Sequence, residues 1–265
     1  MDLGLKGKIV LVTGGSLGIG RSSALAFAAE GAAVAICGRR PAELDAAARL
    51  VKKAGVPVAT IVADVTDPAD ARRLIDACAD DLGGLDILVN NVGAGFGAPK
   101  LVDSTDEEWL KTFEVSFFQA VRLMRLAAPV IARRGGGSIV NVSSISGWSP
   151  PLAGRGQYGA AKAALIFDTE RWALEFVRAR IRVNTVSPGS ILCEGTGWDV
   201  VRTEKPEIFA EYQRDGFPMG RLGTPEEVAD VIVFLASPRA HWINGRNIPV
   251  DGLQQPIPRR DLKPY

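Results

Sequence analysis

The sequence predicts a doubly wound parallel α/β sheet, a three-layer α/β/α arrangement forming a single domain over residues 1–265. Three observations predict it. Short apolar runs alternate with helical runs along the whole chain. Those apolar runs are continuous rather than alternating, as in strands covered on both faces. A glycine cluster, "TGGSLGIG" from Thr13 to Gly20, lies between the first strand and the first helix. Sheets of this kind meet their ligands there.

Each element has its own local reason. Lys8–Thr13 (KIVLVT) is a β-branched run stopped by glycines, the first strand. Gly20–Gly31 is alanine-rich, ends in glycine and reads as a helix. Ala33–Cys37 is the second strand, and Pro41–Gly55, with Pro at its start and Gly at its end, the second helix. "PVATIVADV" and "DPADARRLIDACADDLG" supply the third strand and helix, and Leu85–Asn91 the fourth strand. A long helical stretch follows from Thr105 to Arg133, with Pro129 inside it. Gly137–Ser144 is the fifth strand, "GQYGAAKAALIFDTERWALEF" the next helix, and Ile181–Gly189 the sixth strand. Thr224–Ser237 is a helix with Thr224 as N-cap and Pro225 in its first position. "RNIPVDG" is the last strand. The least regular region, 190–223, is too long for an ordinary loop and is expected to hold a helical flap.

Composition narrows the function classes. Hydrophobic residues make up 47%, enough for a sizeable core. With 31 Lys and Arg against 30 Asp and Glu, the chain lacks the basic excess of a nucleic-acid or anionic-membrane binder. No apolar run of membrane-span length and no signal-peptide stretch is read, and three widely spaced cysteines show no metal spacing. A reduced, cytoplasmic protein is expected. The lone His241 argues against a histidine triad or a zinc site.

The glycine cluster has the spacing Gly14-x-x-x-Gly18-x-Gly20. Its glycines allow a tight turn and close backbone approach to a pyrophosphate, and the following helix points its N–H groups and positive dipole end at that charge. A Rossmann-type dinucleotide site is expected. In NAD-binding folds an acidic residue at the end of the second strand binds the ribose hydroxyls. Here that strand end reads "CGRR": Gly38, then Arg39 and Arg40, with no carboxylate from Ala32 to Arg40. Guanidinium groups suit a 2′-phosphate, so NADP(H) is expected over NAD(H). Asp64 is a candidate for the adenine edge.

"VSSISGWSPPLAGRGQYGAAK" (Val142 to Lys162) carries the other chemistry. Tyr158 and Lys162 stand i, i+4 on one helix face. A nearby ammonium favours the phenolate and is expected to lower the tyrosine pKa, so that the phenol exchanges a proton with a substrate hydroxyl. Ser144 ends the fifth strand at the ligand edge of the sheet, where its hydroxyl can hold a carbonyl beside the phenol. Ser143 is its structural neighbour.

The motifs "TGGSLGIG", "NNVG" (Asn90–Gly93), "IVNVSS" (Ile139–Ser144), "YGAAK" (Tyr158–Lys162), "IRVNTVSPG" (Ile181–Gly189) and "VDG" together resemble the short-chain dehydrogenase/reductase family over nearly the whole chain, similar to its 3-oxoacyl-ACP-reductase-like members. The resemblance implies Ser144 as substrate-orienting residue, Tyr158 as general acid/base and Lys162 as ligand of the nicotinamide ribose. It implies a cofactor site of Gly14, Ser16, Leu17, Gly18, Ile19, Arg39, Arg40, Asp64, Val65, Asn91, Gly93, Pro188, Gly189 and Ile191, besides Tyr158 and Lys162. Departures are visible. Ser116 stands where the family usually has an asparagine of a proton relay, and is expected to hold a water in its place. Cys193 stands near the carboxamide where a threonine is common, Leu253 replaces a second glycine after "VDG", and Leu17 replaces a basic residue of many NADP users.

The expected activity is hydride transfer between the nicotinamide and a ketone or secondary alcohol. A lyase or epimerase using the same Ser-Tyr-Lys site, and a non-catalytic NADP(H)-binding regulator, are the alternatives. Trp148, Trp198, Phe209, Tyr212 and Phe217 are candidates for the pocket wall, Glu194 and Arg155 for polar substrate contacts. The stretch "GWSPPLAGRGQ" reads as one pocket wall, stiffened by its two prolines. Trp172 and Phe176, with Phe113, Phe117 and Phe118, exceed what one helix face buries; the resemblance implies that these helices pair between subunits of a homotetramer, or at least a dimer.

Overall fold

A computed structural model describes residues 2–98, 100–149 and 156–254. Pro150, Pro151 and Arg155, read above as pocket wall and polar contact, lie outside the described residues. Among the described residues, seven parallel strands form one sheet: β1 (Ile9–Thr13), β2 (Ala33–Gly38), β3 (Val58–Val62), β4 (Ile87–Asn90), β5 (Gly137–Val142), β6 (Ile181–Pro188) and β7 (Asn247–Val250). Their order is β3-β2-β1-β4-β5-β6-β7, which reverses between β1 and β4. A crevice at the carboxyl ends of those two strands is the ligand position of the doubly wound architecture.

The helices divide between the faces. Helices α1 (Gly18–Ala29) and α2 (Pro41–Lys52) cover one side and α3 (Pro68–Leu82) the other. The long helical stretch is α4 (Asp106–Phe113), a π-helical turn (Glu114–Phe118) and α5 (Gln119–Arg133). It is followed by α6 (Gly156–Phe176), α7 (Gly197–Glu204), α8 (Pro206–Gly216) and α9 (Pro225–Ala236). Val10, Val12, Val34, Ile36 and Val89 pack with α1, α2 and α9; Leu11, Ala35, Leu88, Ile139 and Val183 pack with α3, α5 and α6. Alternate residues thus enter opposite cores, which is why the strands read as continuous apolar runs.

Three local readings change. The fifth strand stops at Val142, so Ser143 and Ser144 lie just beyond it, with the Ser143 N–H still donating to the Val186 carbonyl. The long helix is broken by a π turn centred on Ser116, which helical spacing does not reveal. That stretch, Asp106–Arg133, is also long and apolar enough to cross a membrane, contrary to the expectation of no such run; here α5 packs against α3 and α4 against α6. The flap is helical, as expected, in the form of α7 and α8.

One side chain ties β6 to the end of α9. The Arg182 guanidinium donates to the carbonyls of Leu235 (2.7 Å), Ser237 (3.0 Å), Ala236 (3.2 Å) and Ile243 (3.3 Å). It satisfies the carbonyls that a helix C-terminus leaves open. Arg182→Leu is expected to lower unfolding free energy by about 2–4 kcal/mol, because partly buried carbonyls lose a charged donor. Urea unfolding checks this, and a loss below about 1 kcal/mol would contradict the capping role.

Candidate active site

The cradle is built by steric exclusion. Gly14 has φ +63°, and a Cβ on Gly20 would stand 2.2 Å from the Gly14 carbonyl oxygen. Only glycine allows that crossing of strand end and helix start. Asn91 holds the turn from the β4 side: its Nδ2 donates to the Thr13 carbonyl at 2.9 Å, and its own N–H donates to the Thr13 hydroxyl. Helix α1 begins at Gly18 with Leu17 as an N-cap that gives no side-chain hydrogen bond, and its first turn holds no acidic residue. Its N–H groups and dipole end are therefore open to an anion, so Gly14, Ser16, Leu17, Gly18 and Ile19 fit a pyrophosphate.

At the end of β2, Gly38 lies beside Ser16, whose hydroxyl would be 3.4 Å from a Cβ at that position. Arg39 is largely exposed and stands 3.9 Å from Asp64, whereas Arg40 pairs with Glu43 at 3.1 Å. Arg39 is thus the freer guanidinium for a 2′-phosphate. Asp64 accepts from the Thr66 N–H and hydroxyl, and Val65 beside it is buried. These contacts fix the turn that follows β3.

Ser144, Tyr158 and Lys162 come together at the carboxyl edge of β5. Ser143 donates to the Lys162 carbonyl at 2.9 Å, joining the strand end to α6. The Ser144 hydroxyl accepts from the Ser146 N–H at 3.1 Å and hydrogen-bonds the Tyr158 phenol. The Lys162 ammonium is buried, donates to the Val142 carbonyl at 2.7 Å, and lies 5.8 Å from the centroid of the Tyr158 ring. Burial pushes the lysine down to about 7. It pushes the phenol up to about 12, with the Ser144 hydrogen bond pulling weakly the other way. The expected lowering of the Tyr158 pKa by the lysine is therefore not found in this state. Desolvation of both groups outweighs an ammonium held away from the phenol by the Val142 carbonyl.

The far end of the cradle is also built. Gly189, after Pro188 at the end of β6, donates to the Val250 carbonyl, and the Ser190 N–H to the Gln254 side chain at 2.7 Å. Ile191 bridges to Gly223, closing the base of the flap. Cys193 is buried against Gly18, its thiol pushed up by burial and held back by a hydrogen bond from the Ile19 backbone. Leu253 takes φ +65°, the left-handed conformation that explains why glycine suits this position.

The aromatic candidates divide. Trp198 packs edge-on against Tyr212 and Phe217, each at 5.6 Å between ring centroids, so α7, α8 and the residue after them share one aromatic cluster. Phe209 is half-buried on α8, and Trp148 is exposed just beyond Ser144. Glu194 is exposed and 3.9 Å from Arg21; His241 lies on the expected surface turn, its ring nitrogen near the Pro238 carbonyl. Sequence reasoning missed Thr112, Gln119, Gln157 and Gln254, which act through backbone partners distant in sequence.

Residues 14–252 match the family model described as enoyl-(acyl carrier protein) reductase. The chain is 38% identical to 3-oxoacyl-[acyl-carrier-protein] reductase FabG of Thermotoga maritima over 253 residues, covering 94% of this chain and 98% of that protein. Among solved structures, L-sorbose reductase from Gluconobacter frateurii complexed with NADPH and L-sorbose matches with a TM-score of 0.89 at 34% identity, over 95% of this chain and 98% of that one. A 7α-hydroxysteroid dehydrogenase complexed with NADH and a 7-oxo bile acid conjugate matches with a TM-score of 0.87 at 30% identity, over 95% and 96% of the chains. The cradle at the β1–β4 switch point and the Ser-Tyr-Lys cluster beside it thus stand in a chain of matching sequence and fold: it belongs to the short-chain dehydrogenase/reductase family of oxidoreductases.

Proposed function

We propose that the protein is an NADP(H)-dependent carbonyl reductase or secondary-alcohol dehydrogenase. The observation that carries this is the Ser144–Tyr158 hydrogen bond beside a buried Lys162, at the open end of the dinucleotide cradle. The bound nicotinamide supplies or accepts the hydride. Ser144 holds the carbonyl oxygen, and Tyr158, protonated at neutral pH, gives that oxygen its proton during reduction. Lys162 would hydrogen-bond the ribose of a bound cofactor, and its positive charge near the phenol would favour the phenolate in the reverse direction.

Arg39 and Ser16, with no carboxylate at Gly38, support NADP(H) over NAD(H). Consumption of NADPH, followed at the reduced-nicotinamide absorbance band, is expected with at least one ketone from a panel of 3-oxoacyl thioester, ketose and steroid ketones. Arg39→Asp is expected to shift the NADPH/NADH preference toward NADH by about 10²-fold, since it removes a guanidinium and adds a repelling carboxylate. Equal rates with both cofactors in the unaltered protein would sink the NADP(H) assignment.

Self-association belongs to the same reading. Leu110 on α4, Phe118 in the π turn, and Phe167 and Leu174 on α6 are exposed apolar side chains, while Trp172 and Phe176 pack on each other at a tilt, against the core. This surface supports pairing of these helices between copies in a homotetramer.

A further inference from the structure

We propose that Ser116 is a positioning residue rather than a water-holding relay, one rung of a polar ladder on the long helix that holds residues 92–98 against Lys162. The inference deepens the proposed function and rests on its reading of Tyr158 and Lys162 as the reacting site.

The Ser116 hydroxyl is buried and doubly used. It donates to the Ala94 carbonyl at 2.8 Å and accepts from the Ala94 N–H at 3.1 Å. Its single proton is therefore committed to backbone. The neighbouring rungs follow a regular pattern. Gln119 donates to the Val92 carbonyl at 3.1 Å, Thr112 accepts from the Phe96 N–H at 3.1 Å, and Glu108 accepts from the Ala98 N–H at 3.4 Å. Alternate residues of the segment thus meet successive turns of the helix, running in opposite directions. Two residues of extended chain span about 6.6 Å, and four residues of α-helix rise about 6 Å. The two repeats nearly match from Val92 to Phe96, so helix side chains can serve that part of the segment as a neighbouring strand would, before the chain turns at Gly97 (φ +92°). Gln157, next to Tyr158, completes the hold by donating to the Phe96 carbonyl at 2.7 Å.

The segment is held against a reacting group. A Cβ on Gly93 would stand 2.6 Å from the Lys162 nitrogen and 3.7 Å from the Ser116 hydroxyl oxygen. A shift of Ala94 therefore moves Gly93 across the face of the ammonium. The ladder sets where Lys162 meets the cofactor ribose, and Ser116 acts through Ala94 and Gly93.

The test compares Ser116→Ala, Thr112→Val and Ser116→Thr. In the cofactor-free protein, hydrogen–deuterium exchange in peptides covering 92–98 is expected to speed up at least about tenfold in the first two variants, with β2 peptides unchanged as reference; local opening of this kind is what exchange reads. NADPH affinity, titrated by nicotinamide fluorescence, is expected to weaken about tenfold in both. The apparent pKa of kcat is expected to stay fixed, and Ser116→Thr to restore exchange and affinity. Unchanged exchange at 92–98 in both variants overturns the ladder. So does faster exchange at β2 as well, which would mean global loosening. A shifted pH profile in Ser116→Ala with normal exchange and affinity would establish a relay instead. If the unaltered protein neither binds nor turns over NADPH, the oxidoreductase reading fails, while the exchange result still decides the ladder.

Discussion

Tyr158→Phe is expected to lower kcat for NADPH-dependent ketone reduction by about 10²- to 10⁴-fold, the usual contribution of a positioned general acid. NADPH affinity should stay within about threefold, because the substitution keeps the ring and removes only the hydroxyl; a threefold change is under about 1 kcal/mol. The phenol is pushed up to about 12, so at neutral pH it carries its proton and is ready as an acid. The sign of the pH dependence follows. Reduction needs the protonated phenol and should be level through neutral pH. It should fall only as alkali removes that proton. Oxidation of the alcohol needs the phenolate and should rise with pH over the same range. The raised value belongs to the cofactor-free state. Bound cofactor and a repositioned Lys162 should bring the alkaline limb down from about 12. Ser144→Ala should lower kcat less than the loss of the acid itself, by about 10²-fold. Rates with a ketone and NADPH, in both directions across pH 6 to 10, check these outcomes. A Tyr158→Phe protein retaining more than half the unaltered kcat would remove the phenol from the chemistry.

The legible parts of this molecule are those fixed by local sterics and period. Gly20 could be read because a side chain there has no room beside the Gly14 carbonyl, whatever the rest of the chain does. The central strands could be read because they are covered on both faces, which leaves an unbroken apolar run, whereas the edge strand β3 alternates buried and exposed residues. Tyr158 and Lys162 could be paired because four residues of helix place them on one face. Spacing tells where a side chain points, not which backbone it finds. Ser116 is expected from the sequence to hold a water, but the partner of its hydroxyl is Ala94, brought to it by β4 and the segment after it. The Val142 carbonyl that takes the Lys162 ammonium is equally invisible, since strand and helix meet only in the folded sheet. The same limit explains the tyrosine pKa: an adjacent cation can be counted from sequence, whereas desolvation of both groups depends on the packing around them. Cys193 is a last instance, its contact with Ile19 arising from the return of the flap base over α1.

Lys162→Met is expected to abolish most reductase activity while making the cofactor-free protein more stable. Lys162 is 1% exposed, and among the described contacts a single carbonyl, that of Val142, receives a hydrogen bond from its ammonium. Burial holds it down to about 7, against an ordinary lysine value of 10.5. Between those values the unfolded chain binds more protons than the folded one, so stability rises with pH through that window and the cost of burying the charge is greatest below about 7. The shift bounds that cost at about 5 kcal/mol. Replacing a buried charge by an apolar side chain of similar length typically recovers about 1–4 kcal/mol. The gain should therefore be largest at pH 6 to 7 and shrink toward pH 9, as the unaltered protein sheds its lysine proton. Tyr158 is common to both proteins and ionises above this range, so it cancels from the difference. Urea unfolding at pH 6.5 and pH 9, without cofactor, measures both quantities. A variant less stable than the unaltered protein at both pH values would show that the ammonium is net stabilising in the empty site. The expected opposite result would identify Lys162 as a charge the fold retains at a cost to its stability.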